Sequence, residues 1–419
     1  MKDLKNSKDL PENLYKKLKV LSFGENLPEH GYLFSLADKC SLLLEKEVTW
    51  YRAASRDGRA GGLLDFTSNA ICLANEKLRR ACGEDAFSDQ QEKTCFDRQE
   101  TSFRDQQEIS VNGNPETCRL EASFLGHREK PLILVPDLHA RSYFLMHILD
   151  FILPADFLAE PAKAGITVFE ALKNNLVNLV CVGDLLHSEL RGKRRWLCAY
   201  EEFENGEYCG PCMTEEMQEG LSLLCMVMEL KCAFPENFHI LKGNHENILN
   251  ESEDGNYSFG KFANEGEMCR AFMEEKYGDD VLYVISCFEK ALPLFAAFDS
   301  CIVSHGEPAR AFSREELVEG LSNPELIKAL TWTENGASMP GSVIAMLSIF
   351  VNYRRYNFPR YFGGHRPVRG KYALRQNGNY VQFHNPDEEN IVLISGNVEF
   401  NPDRDIVSVI ASGAGSAGR

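Results

Sequence analysis

The chain has 419 residues, enough for a large core and for more than one domain. It carries 45 Lys and Arg against 62 Asp and Glu, a formal charge of −17, which argues against general nucleic-acid binding. No apolar stretch is long enough to span a bilayer, and the first residues lack the apolar core of a signal peptide. We therefore expect a cytoplasmic protein that binds no membrane and whose 14 cysteines are mostly reduced.

The first part of the chain predicts no chemistry. Residues 1–83 are predicted as an N-terminal extension of mixed helix and strand, with helical patterning at Tyr15–Leu21 and Tyr32–Glu47. Residues 84–118 contain near-copies of one polar unit, namely FSDQQEKTC, FDRQETS and FRDQQEIS. This composition predicts a flexible low-complexity insertion, and a partner-binding arm anchored by the phenylalanines is the alternative.

Between residues 130 and 411 buried strands alternate with helices, which predicts one α/β domain followed by a flexible tail at 412–419. The first strand includes Leu132–Val135 and is followed by Asp137 and His139. Four further strands end at comparable positions, and their ends read GDLLH from Gly183, GNHE from Gly243, SHG from Ser304 and GGHR from Gly363. Ligands bind outside the carboxyl ends of strands in open α/β sheets, so the polar side chains are expected to converge there.

These strand ends supply a particular set of donor groups. Phosphoester hydrolysis at neutral pH is served by two divalent metals about 3.5–4 Å apart, held by a bridging carboxylate, imidazoles and neutral oxygens. A single histidine is more often structural than a ligand, but five such motifs in one chain favour a metal site. The predicted ligands are Asp137, His139, Asp184, Asn244, His305 and His365.

The order of motifs resembles that of the calcineurin-like metallophosphoesterases, which is D-x-H, G-D-x-x-D, G-N-H-E, H-G and G-H. Here the motifs stand as PDLH, GDLLH, GNHE, SHGE and GGHR. The layout is most similar to the phosphoprotein (serine/threonine) phosphatase branch, because Leu330-Thr331-Trp332 stands in the place of its L-L-W. The resemblance implies an α/β (α+β) fold, a two-sheet β-sandwich flanked by helices.

The resemblance also implies roles for the residues. Asp137 and His139 would hold one divalent ion, Asp184 would bridge to a second, and Asn244, His305 and His365 would complete the second site. The ions would be manganese, iron or zinc, with a bridging hydroxide as the nucleophile. His245 would protonate the leaving group of a phosphorylated substrate, either a phosphoprotein or a small phosphoester.

The sequence departs from the family pattern at three positions. His187 replaces the second aspartate of G-D-x-x-D, Ser188 replaces the phosphate-binding arginine that follows it, and Ala140 replaces the glycine after D-x-H. His187 is a candidate catalytic residue that supports His245, a metal ligand or a neutral structural histidine. Candidate substrate-binding residues are Arg366 and Arg191, with Arg194, Arg195 and the cluster Arg354, Arg355 and Arg360 as further possibilities.

The predicted function is a dimetal phosphomonoesterase. The alternatives are a nucleotide phosphodiesterase or dinucleoside-polyphosphate hydrolase, and a scaffold built on a decayed phosphatase core. A complete ligand set argues against decay. Cys209-Gly210-Pro211-Cys212 has the spacing of a redox pair, but it lacks a thioredoxin-like context, so we favour a loop with two thiols over a redox switch or zinc clip.

Overall fold

A computed structural model describes residues 10–56, 64–67, 130–158, 165–252, 255–298, 300–313, 316–317, 323–351, 358–395 and 398–410. The predicted insertion at 84–118, the predicted tail at 412–419, and Arg354 and Arg355 lie outside these described residues. Within the described part, none of the helices has the length and apolar character needed to cross a membrane.

The described chain alternates helices and strands, as the sequence predicts. The helices are α1 Leu10–Leu21, α2 His30–Arg56, α3 Ser142–Asp150, α4 Val168–Lys173, α5 Lys193–Glu204, α6 Pro211–Ala233, α7 Glu265–Tyr277, α8 Asp279–Ala291, α9 Pro324–Thr331, α10 Ser342–Phe350 and α11 Pro402–Asp405. The strands are β1 Leu64–Thr67, β2 Leu132–Val135, β3 Asn178–Cys181, β4 Phe238–Ile240, β5 Pro293–Ala297, β6 Cys301–Ser304, β7 Arg360–Gly363, β8 Ala373–Arg375, β9 Tyr380–Gln382, β10 Asn390–Ile394 and β11 Ile406–Ser408. Short 3₁₀ turns occur at Glu189–Gly192 and Gln376–Gly378.

The strands form two mixed sheets. One has the order β11-β10-β2-β3-β4, with β2, β3 and β4 parallel to one another. The other has the order β1-β5-β6-β7-β9-β8, with β6, β7 and β9 parallel. The predicted two-sheet α/β architecture is therefore confirmed. Each sheet contributes three neighbouring parallel strands, so three carboxyl ends lie together at one edge of each sheet.

Side chains that alternate between the two faces of each strand form the core between the sheets. Successive side chains of a strand point to opposite faces. Leu134 of β2 and Val180 of β3 thus share one buried cluster with Val303 of β6 and Phe362 of β7, which belong to the other sheet. The intervening residues, including Ile133, pack into a second cluster formed with the helices. The two sheets therefore stack as a sandwich, with helices on the outer faces.

The first two helices are part of this core. Leu14 and Leu18 of α1 and Leu33 of α2 belong to the same buried cluster as Ile133 of β2. α1 packs against α6, and α2 packs against α6 and α8. Side chains of the predicted N-terminal extension therefore share the core of the sheet that begins the motif-bearing region.

The two cysteines of the Cys209-Gly210-Pro211-Cys212 segment do not pair with each other. Cys212, at the start of α6, forms a disulfide with Cys198 of α5. The expectation of reduced cysteines is wrong for this pair, and Cys209 is not the disulfide partner of Cys212. The reason is the antiparallel packing of α5 on α6, which brings two thiols 14 residues apart into contact.

The shared core predicts that damage to the N-terminal helices destabilises the domain. Leu33→Ala removes a fully buried side chain and is expected to lower the free energy of unfolding by about 2–5 kcal/mol. Val20→Ala, at a side chain that is 69% exposed, is the control and should change it by less than about 0.5 kcal/mol. Denaturant unfolding of both variants measures the difference. Equal, small effects would show that α2 does not contribute to the core.

Candidate metal centre

The carboxyl ends of six strands meet at one place, three from each sheet. Asp137, Asp184 and Asn244 follow β2, β3 and β4, while His305 follows β6 and His365 follows β7. A sixth residue, which the sequence analysis did not identify, follows β9. The structure thus brings together all of the predicted metal ligands and adds His384.

The two aspartates are buried and oriented by main-chain N–H groups. His365 N–H donates to Asp137 Oδ2 at 2.9 Å, and His245 N–H donates to Asp184 Oδ1 at 3.0 Å. A side chain at Gly364 would overlap the Asp137 carboxylate, so glycine is required there for the close approach. Burial raises the pKa of Asp137 to about 6, and burial together with Glu246 raises the pKa of Asp184 well above its usual range.

The second oxygen of Asp184 lies between two imidazoles. Asp184 Oδ2 is 3.6 Å from His139 Nε2 and 3.6 Å from His305 Nε2. His305 Nε2 also lies 2.9 Å from Asn244 Oδ1, which in turn lies 3.0 Å from His365 Nδ1. Asp184 Oδ2 thus lies between an imidazole that follows β2 and one that follows β6.

The imidazoles are held in the form that binds metals. Burial lowers the pKa of His139 and His305 well below the usual range. Burial, with a smaller contribution from His384, lowers the pKa of His365 to about 4. All three rings are therefore neutral at neutral pH, and a neutral imidazole has a lone pair available for a metal.

Several polar atoms at the centre lack hydrogen-bond partners among the described residues. They are Asp137 Oδ1, His139 Nδ1, His245 Nδ1, His365 Nε2 and His384 Nδ1. A buried polar atom without a partner costs about 1–3 kcal/mol. Such a cluster of oxygen and nitrogen donors fits bound divalent cations, which would satisfy many of them at once.

Two groups of donor atoms share Asp137. One contains Asp137, His139 and His384, and the other contains Asp137, Asp184 and His305, with the ligand atoms of each group within 4.8 Å of one another. The donor set therefore fits divalent metal binding.

His384 and Glu189 are the two residues that sequence reasoning missed. His384 is fully buried, with Nδ1 3.8 Å from Asp137 Oδ2 and Nε2 3.4 Å from Glu189 Oε2. Glu189 Oε1 lies 3.7 Å from His139 Nε2. The sequence predicts a strand at Tyr380–Phe383, and His384 directly follows it, so the strand-then-ligand pattern could have identified His384. Glu189 follows no strand, and its sequence position gives no such indication.

His187 lies in an aromatic enclosure beside the centre. Its ring stacks on Trp196 with centroids 4.9 Å apart, and Phe262 lies on it at 6.0 Å. Nδ1 accepts a hydrogen bond from Glu189 N–H at 3.0 Å, which leaves Nε2 as the protonated nitrogen, 3.5 Å from Glu265 Oε1. One ring nitrogen is within 4.8 Å of nitrogens of His139 and His245. The geometry thus fits an orienting role best.

Glu246, the last residue of GNHE, fixes the loops that carry the ligands. Its carboxylate accepts hydrogen bonds from the N–H groups of Gly243 at 2.6 Å, Leu185 at 2.8 Å and Asp184 at 3.0 Å. These bonds join the loop after β3 to the loop after β4. The motif therefore contains a ligand candidate, an acid candidate and a carboxylate that positions both.

The predicted substrate-binding arginines are paired with carboxylates. Arg191 lies 2.6 Å from Glu219 of α6, and Arg366 forms an ion pair with Glu334. Arg195 contacts Glu215, Glu216 and Glu219. Arg360 donates to the main-chain carbonyls of Phe358 and Pro359. In the described part, therefore, these arginines neutralise or cap their neighbours.

No protein-family model matches the chain, and no curated protein matches it. Among solved structures, it is similar to a protein serine/threonine phosphatase from Saccharomyces cerevisiae that is described as similar to human phosphatase PP5. That similarity has a TM-score of 0.35 and 13% sequence identity, and covers 64% of this chain and 73% of that one.

The raised carboxyl pKa values predict that metal binding depends on pH. Below about pH 6 a proton occupies Asp137, and a protonated carboxyl is a poor ligand. Metal affinity should therefore rise as the pH rises through about 6, with protons released on binding. Titration calorimetry with Mn²⁺ in buffers of different ionisation enthalpy, at about pH 5.5 and 7.5, measures both quantities. An affinity that is equal at the two pH values would contradict the assignment of Asp137 as a ligand.

Proposed function

We propose that the chain is a metal-dependent phosphoester hydrolase that uses two divalent ions and acts on phosphomonoesters. The observation that carries the proposal is the convergence of six strand ends on one buried cluster of unpartnered oxygen and nitrogen atoms. A scaffold on a decayed core would not need to maintain buried donors that cost free energy without an ion. Phosphoserine or phosphothreonine as the substrate, a cytoplasmic location and manganese, iron or zinc as the ion are finer parts of the same proposal.

The residues divide between two ion positions. We assign Asp137 and His139 to one position, with His384 and Glu189 as additional donors, and Asn244, His305 and His365 to the other. Asp184 lies 3.6 Å from an imidazole of each group, which supports its role as the bridge. When bound, two such ions would activate water and neutralise charge on the phosphoryl oxygens.

His245 is the residue that we assign to protonate the leaving group. Its ring stacks on Phe259 with centroids 4.5 Å apart and planes 13° apart, and Nε2 lies 3.7 Å from Asp184 Oδ2. Burial lowers the pKa of His245 well below the usual range. A phosphate dianion beside the ring would favour its protonated form, so His245 would take up its proton together with the substrate.

Hydrolysis assays with metal analysis test the proposal. The full chain should contain two divalent ions and should hydrolyse p-nitrophenyl phosphate faster than bis-p-nitrophenyl phosphate. A preference for the diester would favour the nucleotide phosphodiesterase alternative. Absence of both bound metal and hydrolysis would favour the scaffold alternative.

Asp184→Asn should disable the enzyme by weakening both ions. Loss of a residue that only hydrogen-bonds to a metal ligand already lowers metal affinity or activity by about 10- to 100-fold, so loss of a bridging ligand should lower turnover by more than about 100-fold. Metal content by mass spectrometry and turnover on p-nitrophenyl phosphate are the measurements. The exposed Asp156→Asn is the matched control and should retain both. Two ions and near-normal turnover in Asp184→Asn would disprove the bridging role.

His245→Asn should distinguish the role of a general acid from that of a metal ligand. We expect it to keep both ions and to lower kcat by about 10²–10⁴, the usual contribution of a positioned acid. The loss should be smaller for p-nitrophenyl phosphate than for alkyl phosphates, because p-nitrophenolate scarcely needs a proton. Asn244→Ala, at the adjacent position, should instead lose one ion and be partly rescued by added metal. If His245→Asn also loses metal, or if both substrates suffer equally, His245 is not the acid.

A further inference from the structure

The proposed site needs a cation that contacts the phosphoryl oxygens of the substrate, and this inference rests on the proposed function. The expected arginine is replaced by Ser188, whose N–H and hydroxyl both donate to Glu216. Of the candidate arginines, Arg191, Arg195 and Arg366 pair with Glu219, Glu216 and Glu334, carboxylates that are not among the donor groups of the centre.

Lys261 places a positive charge at the edge of the centre. Its Nζ lies 2.9 Å from Glu189 Oε1, the same oxygen that lies 3.7 Å from His139 Nε2. One carboxylate therefore separates the ammonium from a predicted metal ligand. The Lys261 side chain is 43% exposed, whereas that of Glu189 is 8% exposed, so the lysine extends from the buried centre to solvent. An ammonium has three N–H donors, and a single contact with Glu189 leaves donors for a second anion.

The segment that carries Lys261 packs against the centre. Phe259 stacks on His245, Phe262 lies on His187, and Lys261 between them contacts Glu189. Glu265 fixes the segment, because its carboxylate accepts hydrogen bonds from Lys261 N–H at 2.8 Å and from Phe262 N–H. Glu265 is fully buried and also faces His187 Nε2. The position of Lys261 relative to the centre is therefore set by buried contacts on both sides of it.

We propose that Lys261 is the residue that binds the phosphoryl group of the substrate, in place of the arginine that this chain lacks. With the substrate bound, the ammonium would donate to a phosphoryl oxygen while it keeps its contact with Glu189. A lysine acts as a point charge, whereas an arginine binds phosphate with a planar fork. The site is thus expected to bind the phosphoryl group by charge, without a requirement for bidentate geometry.

The test is phosphate binding by Lys261→Met in the full chain loaded with Mn²⁺. Calorimetric titration with inorganic phosphate should show a Kd about 10- to 100-fold higher than in the wild type, the range expected for loss of a charge-assisted hydrogen bond. KM for p-nitrophenyl phosphate should rise in parallel, and metal content should stay at the wild-type value. Lys261→Arg should recover most of the affinity.

Lys193→Met is the matched control. Lys193 is exposed at the start of α5, with Nζ 5.5 Å from the centre of the Phe262 ring, so it carries the same charge near the same segment but contacts a different side chain. It should leave the phosphate Kd within about twofold of the wild type, since screened surface charges contribute little.

Three results would overturn the assignment while the proposed function stands. They are an unchanged phosphate Kd in Lys261→Met, an equal loss in Lys193→Met, and loss of metal in Lys261→Met, which would make the lysine a support for Glu189 only. A wild-type chain that binds no metal and hydrolyses no phosphoester would instead disprove the proposed function, and the assignment of Lys261 would fail with it.

Discussion

The arrangement of the centre depends on hydrogen bonds that cross between the two sheets at their carboxyl ends. His365, from the second sheet, donates its N–H to Asp137 of the first sheet at 2.9 Å. His305, also from the second sheet, has Nδ1 2.9 Å from the carbonyl oxygen of Val182 in the first. The apolar layer between the sheets brings the strands together but is non-directional. The polar contacts are directional, so they determine which strand ends face one another.

The convergence of the strand ends also buries two carboxylates, and burial of a carboxylate costs free energy. Asp137 and Asp184 are both buried, and each accepts a main-chain N–H at one carboxylate oxygen. Asp184 Oδ2 faces the imidazoles of His139 and His305, and Asp137 Oδ2 faces those of His139 and His384. Burial of a carboxylate is unfavourable unless it is paired or coordinates a metal. The raised pKa of Asp137, about 6, expresses that cost in the absence of an ion. Bound cations would reverse it, so metal binding and stability should be coupled in this fold.

The sequence predicted the features that depend on residues close to one another in the chain. The Ser313 and Glu316 spacing predicts a capping box, and both reciprocal hydrogen bonds are present. The strand ends with their ligand candidates also follow local patterns. The partner of Cys212 and the role of Glu189 were not predictable, because each depends on which distant element packs alongside. Residues 279–297, which form α8 and β5, were assigned no element from the sequence. The extra donor His384 could have been predicted, since it follows a strand that was.

Backbone conformation shows how strongly the surrounding structure determines the loops of the centre. The left-handed region is unfavourable for residues with a side chain, yet several residues of these loops adopt it. Ala140 has φ 54°, and Asp184, His187 and His365 have φ 53°, 76° and 63°. Two hydrogen bonds to Glu246, from the N–H groups of Asp184 and Leu185, hold the loop around Asp184, and the bond to Asp137 holds His365. These interactions compensate for conformations that the chain would otherwise avoid. A donor set held in this way is preorganised, so a metal or a phosphate that enters it requires little further rearrangement.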